Sequence, residues 1–125
     1  LEKLSEFPQE LHNRNHIAQS YIKTIGDHIQ KPLVPDGYIS SWAQFTIMSD
    51  QRKEVISHLS NNEIPTAIYY QKNMHQQTAF KEIEGLLGGY PVAEKLSETV
   101  FSLPMHPYLT NEEIELISSL CNSFN

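Results

Sequence analysis

The sequence predicts an α+β domain of two layers, with helices packed on a small, three-stranded sheet. Apolar and polar residues alternate in the short stretches Trp42 to Met48 and Thr66 to Tyr70, and apolar residues recur at steps of three, four and seven towards both ends of the chain. A T-x-x-E capping box at Thr110 and Glu113 marks the start of a last helix. The order is helix, strand, helix, strand, helix, short strand, helix, with no internal repeat and no low-complexity tract.

Leu1, Leu4 and Phe7 begin the chain at helical spacing, with neither an initiator methionine nor an N-cap before them, as though the chain started in mid-helix. Pro8 lacks the donor a helix interior needs, so a break or kink is expected there, with Pro8 serving as the first residue of the next helix. Leu11, Ala18, Ile22, Ile25 and Ile29 make that helix amphipathic. Pro32, Pro35, Asp36 and Gly37 then supply the turn chemistry of a loop from Lys31 to Tyr38.

In the first strand Ala43, Phe45 and Ile47 face one way and Gln44 and Thr46 the other. Ser49 or Asp50 is placed to cap a helix with Val55, Ile56 and Leu59 inward, ending at Asn61-Asn62. After the second strand, Phe80, Ile83 and Leu87 suggest a short helical stretch closed by Gly88-Gly89. Pro91 opens a helix with Val92, Ala93, Leu96 and Val100 inward, leading to the apolar piece Phe101 to Met105. Leu109 and Ile114 form the hydrophobic staple of the last helix, and Ile114, Ile117, Leu120, Cys121 and Phe124 form its apolar face.

The 125 residues suit one domain able to bury a core without staples, and 39% hydrophobic, 10% aromatic and 19% charged residues read as globular composition. A formal charge of -6, with Arg14 and Arg52 the only arginines, gives phosphates no basic stripe and argues against nucleic-acid binding. No apolar run approaches a membrane span, and no signal-peptide pattern opens the chain. The lone Cys121 cannot form an internal disulfide, which fits a reducing, cytoplasmic setting.

His12 and His16 stand at i and i+4, the spacing of zinc-binding helices, but Asn13 replaces the activating glutamate and no third ligand is near in sequence. Two histidines on a solvated helix face is the better reading. Cys121, at an apolar helical position without a cationic neighbour, reads as core and not as a nucleophile. Tyr69, Tyr70 and His75 differ, since a buried strand delivers them into the polar run Gln71-Lys72-Asn73-Met74-His75-Gln76-Gln77. Composition alone favours a surface loop there, while the position at a strand end allows a binding site.

The segments NRNHIAQSY, SSWAQFTI, IPTAIYYQKNMHQQTAF and YPVAEKLSETVFSLPMHPYLT, in this order, resemble the C-terminal portion of the DegT family of aminotransferases that act on nucleotide sugars. The resemblance runs from about Phe7 to Ile117. It implies the C-terminal small domain of the aspartate-aminotransferase type of fold, over residues 1–125, with residues 1–7 as the tail of a helix from a large domain not present here. It also implies pyridoxal phosphate in the complete enzyme and none bound to this chain alone, because no lysine here stands in the family's Schiff-base motif.

By the same resemblance the complete protein transfers an amino group, from glutamate, to a keto group of a nucleotide-linked sugar for surface polysaccharides, and works as a homodimer. Tyr69, Tyr70, His75 and Gln77 map to the segment that helps hold the sugar, with Trp42 and Gln44 as further candidates. Trp42 reads equally as core packing. The family usually has proline after the paired tyrosines and a P-L-H-x-Q run; here Gln71 and Asn73 stand in those places, while His75 and Gln77 keep their spacing. The alternative is an autonomous, non-catalytic α+β module that binds a sugar or a protein partner. A fragment should leave an apolar patch, on Leu11 to Ile29 and the face around Leu1, Leu4 and Phe7, exposed or paired with another copy.

Overall fold

The computed structural model describes residues 2–80, 82–83 and 89–124. Its elements are α1 (Glu2–Thr24), β1 (Phe45–Met48), α2 (Arg52–Asn61), 3-10 turns at Met74–Gln76 and Thr78–Phe80, α3 (Pro91–Thr99), β2 (Val100–Leu103) and α4 (Asn111–Asn122).

Helix α1 runs unbroken through Pro8, contrary to the expected break. Glu2 to Gln9 are all exposed, so water is at hand for the carbonyl that Pro8 leaves without a donor. The buried face of α1 is Ile17, Ala18 and Tyr21. The helix stops at Thr24, before Ile25 and Ile29, which nevertheless enter the core from the following turn. Asn122 of α4 closes this end: its side chain accepts from the Gly26 N–H at 2.7 Å and donates to the Thr24 carbonyl at 2.8 Å. A Cβ at Gly26 would meet the His28 ring at 2.7 Å. In the loop that follows, the Tyr38 N–H donates to the Pro35 carbonyl, with Gly37 at φ +82 in the turn position that favours glycine.

Strands β1 and β2 pair antiparallel, with Phe45 opposite Leu103 and Ile47 opposite Phe101 on the core side. Thr46 and Ser102 share a hydroxyl bond of 2.8 Å on the other face. The expected strand from Thr66 to Tyr70 is reduced to one bridge, Ala67 with Ser102. Continuing that register would pair position 65 with 104 and 69 with 100. Pro65 and Pro104 have no N–H to donate. The Val100 carbonyl accepts from Arg52 and the Val100 N–H closes α3 on Leu96, so β2 has only Ser102 left to share. Among the described residues the sheet therefore has two strands, with single bridges at its edges, Ala67 on β2 and Gln30 on Met48 of β1, in place of three strands.

Helix α2 begins after Gln51, with the Ser49 hydroxyl accepting from the Gln51 N–H rather than capping the first turn itself. It buries Val55 and Leu59 and ends at Asn61. The capping box of α4 forms as the sequence predicts: the Glu113 N–H donates to the Thr110 hydroxyl and the Thr110 N–H to the Glu113 carboxylate. Ile114, Ile117 and Cys121 of α4 pack with α1, α2 and the core side of the sheet, where Tyr21 lies 5.0 Å from Phe45 and Trp42 5.6 Å from it, centroid to centroid.

Helix α3 departs from expectation. Pro91 is its first residue, but Val92 is 73% exposed, Leu96 is also exposed, and only Thr99 is buried. Its inward side is mixed, with Ala93 half-buried beside Glu94 and Ser97. Of the helical stretch expected around Phe80 to Leu87, Phe80 ends the 3-10 turn Thr78–Phe80, while residues 81 and 84–88, with the Gly88 closure, lie outside the described residues.

Candidate functional site

The segment after Ile68 stands on the far side of β2 from β1, because Ala67 is hydrogen-bonded to Ser102 in both directions, at 3.1 and 2.7 Å. Tyr69 and Tyr70 follow at once, their rings edge to face at 6.4 Å, and Tyr70 is 78% exposed. Two open grooves meet at Tyr69. One, of about 220 Å³, includes Gln44, Thr66, Ser102 and Met105 in its wall. The other, of about 560 Å³, is lined by Tyr69, Tyr70, Lys72, Asn73, Met74 and Gln77. Phenol hydroxyls, amides and one ammonium surround these grooves, a donor and acceptor set suited to a hydroxyl-rich ligand.

The polar run is shaped by its own side chains. The Asn73 N–H donates to the Gln76 side-chain oxygen, the Gln76 and Gln77 N–H groups donate to the Asn73 and Met74 carbonyls, and the Gln77 amide donates to the Lys72 carbonyl at 3.0 Å. Two further bonds tie the run to α3. The Asn73 amide donates to the Ser97 hydroxyl at 3.1 Å, and His75 Nε2 lies 3.0 Å from Glu94 Oε1. The same Oε1 accepts the Tyr90 N–H at 3.2 Å, and the Tyr90 ring lies 4.7 Å from the imidazole. The Tyr90 N–H, then the His75 bond, hold the Glu94 carboxyl below its ordinary value.

The predicted residues therefore separate into groups. Gln44, Tyr69, Tyr70 and Gln77 line the adjoining grooves. His75 turns to α3 and engages Glu94. Trp42 is 5% exposed, its indole N–H donates to Asn15 at 3.0 Å and its ring packs on Phe45, which places it in the core and not in either groove. Its backbone stands at φ 48, with its carbonyl accepting from Arg14. Sequence reasoning missed Glu94 and Ser97. The available signal was their i, i+3 spacing, which gives α3 a polar stripe where an apolar one was expected inward.

The other candidates resolve as structure. His12 and His16 are exposed, and among the described residues no group of three or more His, Cys, Asp or Glu side chains could hold a metal ion. The polar residues between them are clamps: Asn13 donates to the Pro107 carbonyl, Arg14 to that of Trp42, and Asn15 to that of Leu11. Cys121 is buried, and burial pushes its thiol up to about 12, away from nucleophilic use. No described helix is long and apolar enough to cross a membrane.

Residues 1–121 match the DegT/DnrJ/EryC1/StrS aminotransferase family. The chain belongs to that family. It is 35% identical over 94% of its length to the UDP-2-acetamido-2-deoxy-3-oxo-D-glucuronate aminotransferase of Pseudomonas aeruginosa, of which it covers 32%. It is 40% identical over 77% of its length to the UDP-N-acetyl-3-dehydro-alpha-D-glucosamine 3-aminotransferase of Acidithiobacillus ferrooxidans, covering 26% of that protein. Among solved structures, a DegT/DnrJ/EryC1/StrS aminotransferase from Brucella abortus superposes with a TM-score of 0.92 at 39% identity, over 99% of this chain and 33% of that one. The chain thus spans about a third of the length of the relatives it matches.

Pyridoxal phosphate is the cofactor this family implies, and it needs a lysine amine set in a pocket with an acidic partner for the ring nitrogen. Lys3, Lys23, Lys53, Lys72 and Lys95 are exposed, and the Lys31 ammonium is engaged by Asp27 and the Ile25 carbonyl. The described residues do not by themselves fit the cofactor.

Proposed function

We propose that this chain is the C-terminal small domain of an aminotransferase that moves an amino group, from glutamate, to a keto group on a nucleotide-linked sugar destined for a surface polysaccharide. The complete protein would use pyridoxal phosphate held by its large domain, act in the cytoplasm and pair as a homodimer. The observation that carries this reading is the family match over residues 1–121 in a chain about a third as long as its relatives. The names of the two bacterial relatives, one acting on a 3-oxo and the other on a 3-dehydro nucleotide sugar, support the substrate class.

In this reading residues 1–7 are the tail of the connecting helix. Leu4 is 71% and Phe7 54% exposed, as suits a face that docks on a large domain. Tyr69, Tyr70, Gln77 and Gln44 form a polar lip that contacts the sugar through hydroxyl and amide groups. His75 serves that lip as its anchor, and Trp42 supports it from the core. The chain alone is inactive, for want of the Schiff-base lysine.

The test is a chimera in which this chain replaces the matching third of the Pseudomonas aeruginosa enzyme, assayed for glutamate-dependent amination of that enzyme's 3-oxo sugar. Amination by the chimera and none by the chain alone is expected. A folded, cofactor-loaded chimera without activity would reject the assignment, as would transamination by the isolated chain.

A further inference from the structure

We propose that Glu94 and Ser97 of α3 are positioning residues that clamp the 71–77 segment through His75 and Asn73, so that α3 sets where the Tyr69–Tyr70 lip stands. The inference rests on the sugar-lip reading for its purpose, but not for its geometry. Few covalent or ladder constraints hold this segment. Behind it lies the single bridge at Ala67, and Pro65 and Pro104 keep that bridge from extending. Just ahead of it, among the described residues, stands the 3-10 turn Thr78–Phe80. Among the described residues, the hydrogen bonds that tie this run to a regular element are those to α3, His75 to Glu94 at 3.0 Å and Asn73 to Ser97 at 3.1 Å.

The clamp side of α3 is itself fixed. Ser97 donates to the Glu94 carbonyl at 2.8 Å, which leaves its oxygen free to accept from Asn73. Arg52 donates to the Ser97 carbonyl at 2.6 Å and so pins the last turn of α3 to α2. Glu94 Oε1 takes the Tyr90 N–H as well as His75, so one carboxylate oxygen joins the helix start to the loop. His75 is largely buried against these partners, its side chain 13% exposed. A histidine held this way aligns the loop while Tyr69, Tyr70 and Gln77 line the groove.

Backbone hydrogen exchange in this chain tests the clamp, read at the amides of Asn73, Gln76, Gln77 and Phe80, each of which donates a bond within the segment. Loss of about one hydrogen bond corresponds to about tenfold faster exchange in Glu94→Ala. Ser97→Ala should raise it by a smaller factor, with α1 and α4 core amides unchanged in both. Glu94→Gln keeps an oxygen able to accept from Tyr90 and His75 and should restore most of the protection. In a His75→Ala background, Glu94→Ala should add little, because the partner is already gone.

Unchanged loop exchange in both Glu94→Ala and Ser97→Ala would overturn the proposal. So would equal acceleration of core amides, or failure of Glu94→Gln to rescue. Titration of the wild-type chain with UDP-N-acetylglucosamine, followed by the amide shifts of Tyr69, Tyr70 and Gln77, separates the two readings. A clamp confirmed by exchange with no shift at those residues leaves the clamp standing and removes its sugar role.

Discussion

Single side chains here do more joining than their types suggest. Asn122 satisfies a donor and an acceptor at the end of α1 from the opposite end of the chain. Replacing it with alanine leaves the part-buried Gly26 N–H without that acceptor, and we expect a loss of about 1–3 kcal/mol in urea unfolding. Thr110→Ala removes a standard N-cap and should cost about 1 kcal/mol by the same measurement. Cys121 gives a different readout. Burial holds its thiol in the neutral form up to about 12, so iodoacetamide at pH 8 should leave the native chain unmodified and label it fully in denaturant. Rapid native labelling would show that the α4 face opens readily.

Elements were legible in proportion to how local their causes are. The Thr110 box and the Phe45/Ile47 alternation carry their signal within a few residues, and both form as read. The Thr66 to Tyr70 strand failed because its partner's groups were already committed: two prolines lack donors, and Arg52 holds the Val100 carbonyl. No local pattern reveals that. The inward face of α3 was misjudged for a related reason, since its apolar residues looked like a core stripe while Glu94 and Ser97 met the polar loop. Among the candidate residues, Tyr69 and Tyr70 were singled out from a strand that reduces to one bridge and Gln77 from the resemblance, whereas the bond of His75 to Glu94 depends on a helix 19 residues away. Asn73 holds its own turn through bonds to Gln76 and Ser97.

Arg52 ties two of these elements, donating to the carbonyls of Ser97 and Val100 at the end of α3. Arg52→Met keeps the stem and removes both bonds, and should destabilise the chain by about 1–3 kcal/mol in urea unfolding while loosening α3 first in hydrogen exchange. The clamp on α3 also has a pH sign. The Glu94 carboxyl is held below its ordinary value in the fold, by the Tyr90 N–H first and by His75 next. Its contribution is therefore fully present above the ordinary glutamate range and is lost as pH falls through the depressed folded value. Amide shifts of Asn73 to Gln77 should move in that acid window, and in Glu94→Gln that transition should vanish.

At the scale of the molecule, the apolar surface of the described residues is divided between a core and faces that stand exposed. Ile17, Tyr21, Phe45, Val55, Phe101 and Ile117 are buried together, while Leu4 and Phe7 on α1 and Val92 and Leu96 on α3 stand in water. Side chains of that kind each stabilise by about 1.5–3 kcal/mol when fully buried, so leaving several exposed favours any arrangement that covers them. If the rest of a longer protein covers the α1 face, joining the chain to the matching two thirds of a relative should remove binding of an environment-sensitive apolar dye. Leu4→Glu together with Phe7→Glu should then lower dye binding by the isolated chain without lowering its unfolding midpoint, because these side chains make no part of its core. A drop in the midpoint would mean instead that this face already packs within the chain or between its copies, and sedimentation at two concentrations would tell those apart.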